Sequence, residues 1–457
     1  MPAMVDFEGD AVSTDAETVG IILAGGRGER AKPITLKSSD YIRSKALIPL
    51  VGRRLIEWVV DACRDQGIRR FYVVTHGLEN RNQIKLLLGH GERYGVDVTY
   101  SRSRFDRYNV GSAGATLHNL EQWDLRGRAL VLPVDSLFDF DLKAMEEEHR
   151  RRGAVVTVAS VARTASEIAG KYGVMRTDGL GLVQGFVEKP GAGELAGLFP
   201  GTGADPALTL PTNAGMYLVD CDRLRVLARD PGLFRQSHQR LDWGGDLLPW
   251  LVDRGLPVAT HTIGRLGDLG NVPDYLDTVR LVLDGAYEQM NRLMDAPDGL
   301  RPRHWIHETS LRTKDDVTGT TLAQKIEEGS VVVGPGVRIG RGVEIGPGVR
   351  LEHADVGDGA EVREGATLLN SAVGDSAVIG PYAHVADSYV GPMAEVRSER
   401  ERPLRLEGRS AIGDGAVLWP GSQFFGITVY PRLRVPAMAG VPAQTELRSA
   451  EDILRWA

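Results

Sequence analysis

The chain has 457 residues, enough for two or three domains. Its net charge of −7 and the absence of any apolar run of membrane-spanning length give no electrostatic or hydropathic case for nucleic acid or a membrane as partner. Cys63 and Cys221 lie far apart without metal-ligand spacing, so the expectation is two buried thiols, a reducing compartment and hence a cytoplasmic location.

Residues 1–17 are acidic and polar and lack the basic and apolar regions of a signal peptide; a loose extension is expected there. The next stretch, residues 18–50, carries the densest chemistry. A short apolar strand closes on Leu23 and Ala24, and a glycine-rich loop follows at once. Gly25, Gly26 and Gly28 lack side chains, so backbone N–H groups there can approach phosphate oxygens. Arg27 and Arg30 add forked cationic donors, and Lys45 supplies a compact charge further on. A P-loop would need Gly-Lys-Ser/Thr after the last glycine, and that is absent. Gly26, Gly28 and Ala31 satisfy a dinucleotide fingerprint, but that pattern leaves Pro33, Thr35 and Lys45 unexplained. A tight strand-to-helix turn without a ligand is the plainer alternative.

To about residue 285, short β-rich runs (RRFYVVTH, VDVTYS, RALVLPVD, AVVTVASV) alternate with helical spacing (LIEWVVDACRDQG, FDLKAMEEEHRRRG). That alternation predicts an α/β domain with a mostly parallel, Rossmann-like sheet over 18–285. Ligands of such sheets bind beyond the carboxyl ends of strands, where the Gly25 loop and Asp135 both fall. Residues 286–328 read as a connector. His304 and His307 within it have loosely metal-like spacing, but no Cys or acidic cluster supports them, so a solvated or packed pair is expected.

From about 329 to 445 the texture changes. Aliphatic residues recur at Val333, Ile339, Ile345 and Leu351 and onward in steps of five or six, and a full period of 17 residues joins Val356, Val373 and Val390. This is a hexapeptide repeat, in which three short strands form each turn of a triangular coil with one aliphatic pointing inward per face. Residues 397–409 interrupt it as a charged loop; it resumes at Ile412 and leads to a tail at 446–457.

The run from Gly25 to Thr35 with Lys45-Ala46-Leu47-Ile48-Pro49 resembles the opening motif of the sugar-phosphate nucleotidyltransferase family, roughly GGxGxRLxPLT followed by a lysine motif. It departs at Glu29 and Ala31 and in a longer gap between Thr35 and Lys45. Further motifs follow in family order: Gly111-Ser112-Ala113-Gly114-Ala115, Lys171-Tyr172-Gly173-Val174, Phe186-Val187-Glu188-Lys189-Pro190, Thr212-Asn213-Ala214-Gly215-Met216-Tyr217, and Asp268 through Leu276. The repeat resembles the left-handed parallel β-helix that tails some members, and the handedness is taken from that likeness.

The resemblance implies a nucleoside triphosphate and a sugar 1-phosphate as substrates, with Leu23, Ala24, Gly25, Gly26, Arg27, Gly28, Gly111, Ser112 and Ala113 on the nucleotide. Arg30, Lys45 and Lys189 would be catalytic, with Gly173, Glu188, Lys189, Asn213 and Gly215 on the sugar phosphate. Asp135 and Asp268 would hold Mg²⁺, although either could instead cap a helix. Pyrimidine-using members tend to carry Gln where this chain has Asp106, a carboxylate able to accept from guanine N1–H and N2–H₂, which favours a purine and guanosine first. Adenosine, thymidine and uridine triphosphates remain alternatives. Family members with this tail are usually homo-oligomers. Rival readings are a second, acyltransferase activity using His353 or His384 in the repeat, an inactive regulatory homologue, and a dinucleotide-dependent oxidoreductase.

Overall fold

The structure, a computed structural model, describes residues 17–38, 40–102, 109–199, 205, 207–236, 240–294, 304–315, 318–438 and 440–456. The chain packs as two compact units, each taking several stretches of sequence. The first holds the described residues up to Gly25 with Cys63–Val134 and Phe140–Leu266; the second holds Gly26–Ala62, Asp135–Asp139 and the chain from Gly267 onward.

The first unit is built on one mixed, mostly parallel nine-stranded sheet: β1 (Val19–Ala24), β2 (Arg70–Thr75), β3 (Asp97–Tyr100), β4 (Arg128–Pro133), β5 (Val156–Thr164), β6 (Val174–Thr177), β7 (Val183–Val187), β8 (Thr209–Asp220) and β9 (Val258–Thr262). The order along its main path is β7-β6-β8-β4-β1-β2-β3, with β5 pairing β8 and β9. The strands flanking β1 are parallel to it, Ile21 lying opposite Tyr72 on one side and Val131 on the other. β1 is buried at Val19, Ile21, Ile22 and Ala24, which accounts for its nearly unbroken apolar sequence. The β-rich runs RRFYVVTH, VDVTYS, RALVLPVD and AVVTVASV each contribute to a strand here, at 70–75, 97–100, 128–133 and 156–164. Cys63 and Cys221 are buried and free, and burial pushes both thiols up to about 12, so they are inert at neutral pH.

The second unit contains a parallel β-helix. Ladders run through Ile345, Val362, Ile379, Val396, Leu418 and Val435, through Leu351, Leu368, Val385, Leu406 and Phe424, and through Val356, Val373, Val390, Ile412, Val429 and Leu447. These side chains form one buried core, each contributing roughly 2 kcal/mol by leaving water. The coil needs left-handed backbone at its corners. One corner is occupied in successive turns by Gly359, Ser376, Met393, Gly415 and Arg432, all at positive φ, so the stack imposes the conformation even where no glycine is present.

The interruption is narrower than 397–409. Arg405–Glu407 is a strand of the ladder, and Leu404 and Leu406 are fully buried. Arg405 and Glu407 hid it: they point outward on either side of Leu406 and pair with each other at 3.0 Å. Ahead of the readable repeat, His304–Ile306 already pairs with Val337–Ile339. His304 is packed, its Nε2 bonding the Gly334 carbonyl at 2.6 Å, and His307 Nδ1 accepts from the Thr309 N–H at 3.2 Å. No helix among the described residues is long and apolar enough to cross a membrane.

Candidate active site

In the second unit, the chain leaves Gly26 exposed and turns at Gly28, whose φ of 72° is left-handed. A Cβ at Gly28 would stand 2.7 Å from Thr35 Cγ2, so both the backbone and the space require glycine there. The single 3₁₀ turn Glu29–Ala31 follows, burying Ala31 and leaving Arg30 exposed. Arg30 lines an open cleft of about 300 Å³ whose wall also includes Lys32, Tyr430 and Arg448. Thr35 ties the loop shut by donating its hydroxyl to the Gly28 carbonyl at 2.8 Å.

Lys45 begins another single turn, Lys45–Leu47, capped by Ser44 Oγ, which accepts from the Ala46 N–H at 3.3 Å. Its aliphatic stem runs beside Gly26, where an added Cβ would lie 3.6 Å from Cδ and Nζ. The ammonium meets Asp135 Oδ2 at 2.5 Å, with the lysine 13% and the aspartate 26% exposed. Asp135 also accepts the Leu269 N–H on its main-chain carbonyl at 3.0 Å, bringing the backbone beside Asp268 next to it. Asp268 Oδ1 accepts the Gly270 N–H at 2.7 Å. A Cβ on Gly270 would lie 2.9 Å from Asp268 Oδ1 and 3.4 Å from an Arg30 guanidinium nitrogen, so that carboxylate and that cation flank the same glycine. Arg30, Lys45, Asp135 and Asp268 are thus assembled in one unit; Arg27 is exposed on the same loop.

The first unit carries the remaining expected residues. Leu23 and Ala24 end β1; the Leu23 carbonyl accepts the Val134 N–H at 3.0 Å, and the Ala24 carbonyl accepts the Asn80 amide at 2.6 Å. Gly25 is exposed beside His76. The pairing of β8 with β5 slips between Asn213 and Tyr217, a bulge that re-aims the side chains around Gly215, itself at φ 80°. Asn213 Oδ1 accepts the Gly215 N–H at 2.8 Å, and its Nδ2 donates to the Tyr217 hydroxyl at 3.0 Å. Tyr217 stacks on Trp243 with ring centroids 4.3 Å apart, and burial raises its hydroxyl pKa.

Glu188 sits in a cradle of two glycines. A Cβ on Gly173 would come within 2.6 Å of its Oε2, and one on Gly244 within 2.3 Å. Lys189 follows at a φ of 49°, unusual for a side-chain-bearing residue, with its ammonium 3.5 Å from Glu188 Oε1. The Asn213 N–H donates to the Gly173 carbonyl at 2.9 Å, so Gly173, Glu188, Lys189, Asn213 and Gly215 form one connected group.

At the helix Ser112–Gln122, internal packing accounts for much of the motif. Gly111 has φ 79° and could carry no Cβ, because the Leu241 carbonyl oxygen would lie 2.3 Å away. The Ser112 N–H and hydroxyl are taken by Asp242 Oδ1 at 2.9 and 3.2 Å, and Ala113 is fully buried in the core. Asp106 lies outside the described residues. Sequence reading passed over Asp242-Trp243-Gly244, which opens the π-helical turn Trp243–Leu247; the paired glycines beside a tryptophan were the available signal.

Among the described residues no three His, Cys, Asp or Glu side chains gather as a metal site. The two carboxylates of Asp135 and Asp268 are hard oxygen donors of the kind that suits Mg²⁺ in a site completed by substrate phosphates and water. The other histidines singled out in the repeat have structural partners: His353 Nε2 meets Asp284 at 2.7 Å, and His384 Nε2 lies 3.4 Å from Glu407.

The chain belongs to the nucleotidyl transferase family, whose model matches residues 19–285, and the GMPPB C-terminal domain matches residues 321–401. It is 31% identical over 277 residues to a UTP–glucose-1-phosphate uridylyltransferase of Synechocystis, covering 58% of this chain and 63% of that protein. It is 29% identical to glucose-1-phosphate adenylyltransferase 2 of Vibrio parahaemolyticus, covering 66% and 75% respectively. A glucose-1-phosphate adenylyltransferase of Corynebacterium jeikeium is 28% identical, with 72% and 87% covered. The chain therefore spans just under two thirds of the uridylyltransferase it matches.

Proposed function

We propose that the protein transfers a nucleotidyl group from a nucleoside triphosphate to a sugar or sugar-like 1-phosphate, releasing pyrophosphate. The reading is carried by the Lys45–Asp135 pair with Arg30 and Asp268 beside it. In this reaction an oxygen of the sugar phosphate attacks the α-phosphorus in line, and the α–β bridging oxygen leaves with the pyrophosphate. The attacking oxygen is already anionic, so no general base is needed; catalysis reduces to positioning and charge neutralisation.

Gly26, exposed on the loop, gives the backbone close access to phosphates, and Arg30 and Lys45 counter the charge that builds on the leaving group. Asp135 and Asp268 would hold Mg²⁺, which when bound supplies further neutralisation of the triphosphate. Glu188 accepts from sugar hydroxyls, Asn213 bonds them, and Lys189 meets the sugar phosphate. A purine triphosphate, guanosine first, is the favoured donor on the strength of Asp106; the relatives named above are uridylyl- and adenylyltransferases. The altered spacing between Thr35 and Lys45 leaves room for an acceptor such as a cyclitol phosphate. A homo-oligomer is expected because a stacked coil leaves open edges at its ends. The two free thiols suit the cytoplasm.

The test is a pyrophosphate-release screen of the four nucleoside triphosphates against a panel of sugar and cyclitol 1-phosphates with Mg²⁺. One productive pair is expected; release from none of them removes the reading.

A further inference from the structure

The lengthened gap between Thr35 and Lys45 has a structural use. Leu36 bridges Ile42 in antiparallel fashion, and the Lys37 N–H donates to the Tyr41 carbonyl at 2.9 Å, so residues 36–37 and 41–42 lie side by side. At the base of this excursion stands Arg43, only 4% exposed. Its N–H donates to the Thr35 carbonyl at 2.8 Å. Its guanidinium donates to the Ile34 carbonyl and, on the other side, to Asp414 Oδ2.

Asp414 belongs to the β-helix, two residues past the strand Ala411–Ile412, and is 6% exposed. Its carbonyl accepts the Arg432 N–H at 2.9 Å from the next coil, which fixes it within the stack. A parallel contact reinforces the junction: Tyr275 packs edge-on against Tyr389 of the β-helix, ring centroids 5.6 Å apart, and donates its hydroxyl to the Pro49 carbonyl at 3.0 Å. All these residues lie in the second unit.

Burying an ion pair costs solvation that its attraction barely recovers, and apolar replacement is often as stable. What such a pair does supply is a defined position. Arg43 sits between two functional anchors: through Thr35 it reaches Gly28, and two residues along the chain stands Lys45.

Resting on the nucleotidyl-transfer reading, we propose that Arg43 is a positioning residue. Held by Asp414 of the β-helix, it sets Lys45 and the Gly28 turn for the transferring phosphate. The β-helix is then part of the catalytic apparatus of its own chain, beyond any role in assembly.

The test compares Arg43→Met, Arg43→Lys, Asp414→Asn and the double variant Arg43→Met/Asp414→Leu in the full chain. Each Met or Asn variant is expected to lose about 10-fold or more in kcat, the scale of a misplaced group remote from the bond. KM for the sugar phosphate should change less than about 2-fold, because the sugar residues are untouched. The double variant should be no slower than Arg43→Met, since both remove one coupled contact, and Arg43→Lys should recover part of the rate. Far-UV circular dichroism and thermal melting separate this from unfolding, and folded variants with wild-type kcat overturn the proposal.

A second measurement needs no turnover. The rate at which an acylating reagent labels Lys45, quantified by mass spectrometry, should change several-fold in Arg43→Met, and labelling at the wild-type rate overturns the proposal. Altered labelling in a protein that transfers no nucleotide would uphold the positioning role and count against the activity instead.

Discussion

Lys45 Nζ stands 2.5 Å from Asp135 Oδ2, a cation held against a carboxylate that the proposed mechanism assigns to a metal ion. The pair keeps the lysine stem against Gly26 and its charge beside the glycine turn. Lys45 is thus in place before substrate arrives. Arg30, which flanks Asp268 at Gly270, is exposed.

Changing Lys45 or Arg30 to Ala should therefore lower kcat by about 10²-fold or more, on the scale of other lost contacts to developing anionic charge. Steady-state kinetics with both substrates varied provides the check. An unchanged kcat with a raised KM would assign these cations to ground-state binding alone.

Asp135→Asn and Asp268→Asn should each abolish the dependence of activity on added Mg²⁺ while the circular dichroism spectrum stays that of the wild type. A metal titration of initial rate reads this directly. Full activity with ordinary Mg²⁺ dependence in either variant would move the metal elsewhere.

The Glu188 cradle makes a separate prediction about the sugar half. In Gly244→Ala the new methyl group would stand 2.3 Å from Glu188 Oε2 and must push the carboxylate aside. KM for the sugar phosphate should rise by about 10-fold, the worth of roughly one good hydrogen bond, with the KM for the triphosphate nearly unchanged. Equal effects on both substrates would argue against a sugar role for Glu188.

The extent to which all this was legible in the sequence differs between the units. Strands β1 and β4 were readable because burial on both faces writes nearly unbroken apolar runs, and β3 because its single buried Val98 sits in a short β-rich run between exposed Asp97 and Thr99. The coil was readable because every inward position repeats after 17 residues between Val356 and Val390. The strand at Arg405–Glu407 was hidden by charges flanking one inward leucine. The grouping of Gly173, Glu188 and Lys189 followed from motif order, but Gly244 did not, since its contact with Glu188 joins residues 56 apart in the chain and has no local signature. Arg43–Asp414 is hidden for the same reason at much longer range, |i−j| being 371. Gly111 was legible as a special glycine, but its packing against the Leu241 carbonyl was not, because Leu241 is a neighbour in space only.

Acid stability should report on His149. It is buried, its Nδ1 lies 2.9 Å from Thr157 Oγ1, and burial, with Arg128 and Arg223 nearby, lowers its pKa to about 4. The folded value lies below the unfolded one of about 6.5, so the unfolded chain takes up the proton first. The contribution is complete above pH 7 and falls as pH drops from about 6.5 to about 4, a loss of about 3 kcal/mol in all. Urea unfolding across that range should show the decline, and His149→Gln should flatten it. An identical slope in the variant would assign the acid sensitivity to other groups.

The most direct test of nucleotidyl transfer follows the phosphorus. With the productive substrate pair, the triphosphate is labelled at the α position in one reaction and at the γ position in another. The α label should appear in the sugar nucleotide and the γ label in pyrophosphate, and both should form about 10²-fold or more slowly in Lys45→Ala. Appearance of the γ label on the sugar would mean phosphoryl transfer instead, and would contradict the reaction assigned to the Lys45–Asp135 site.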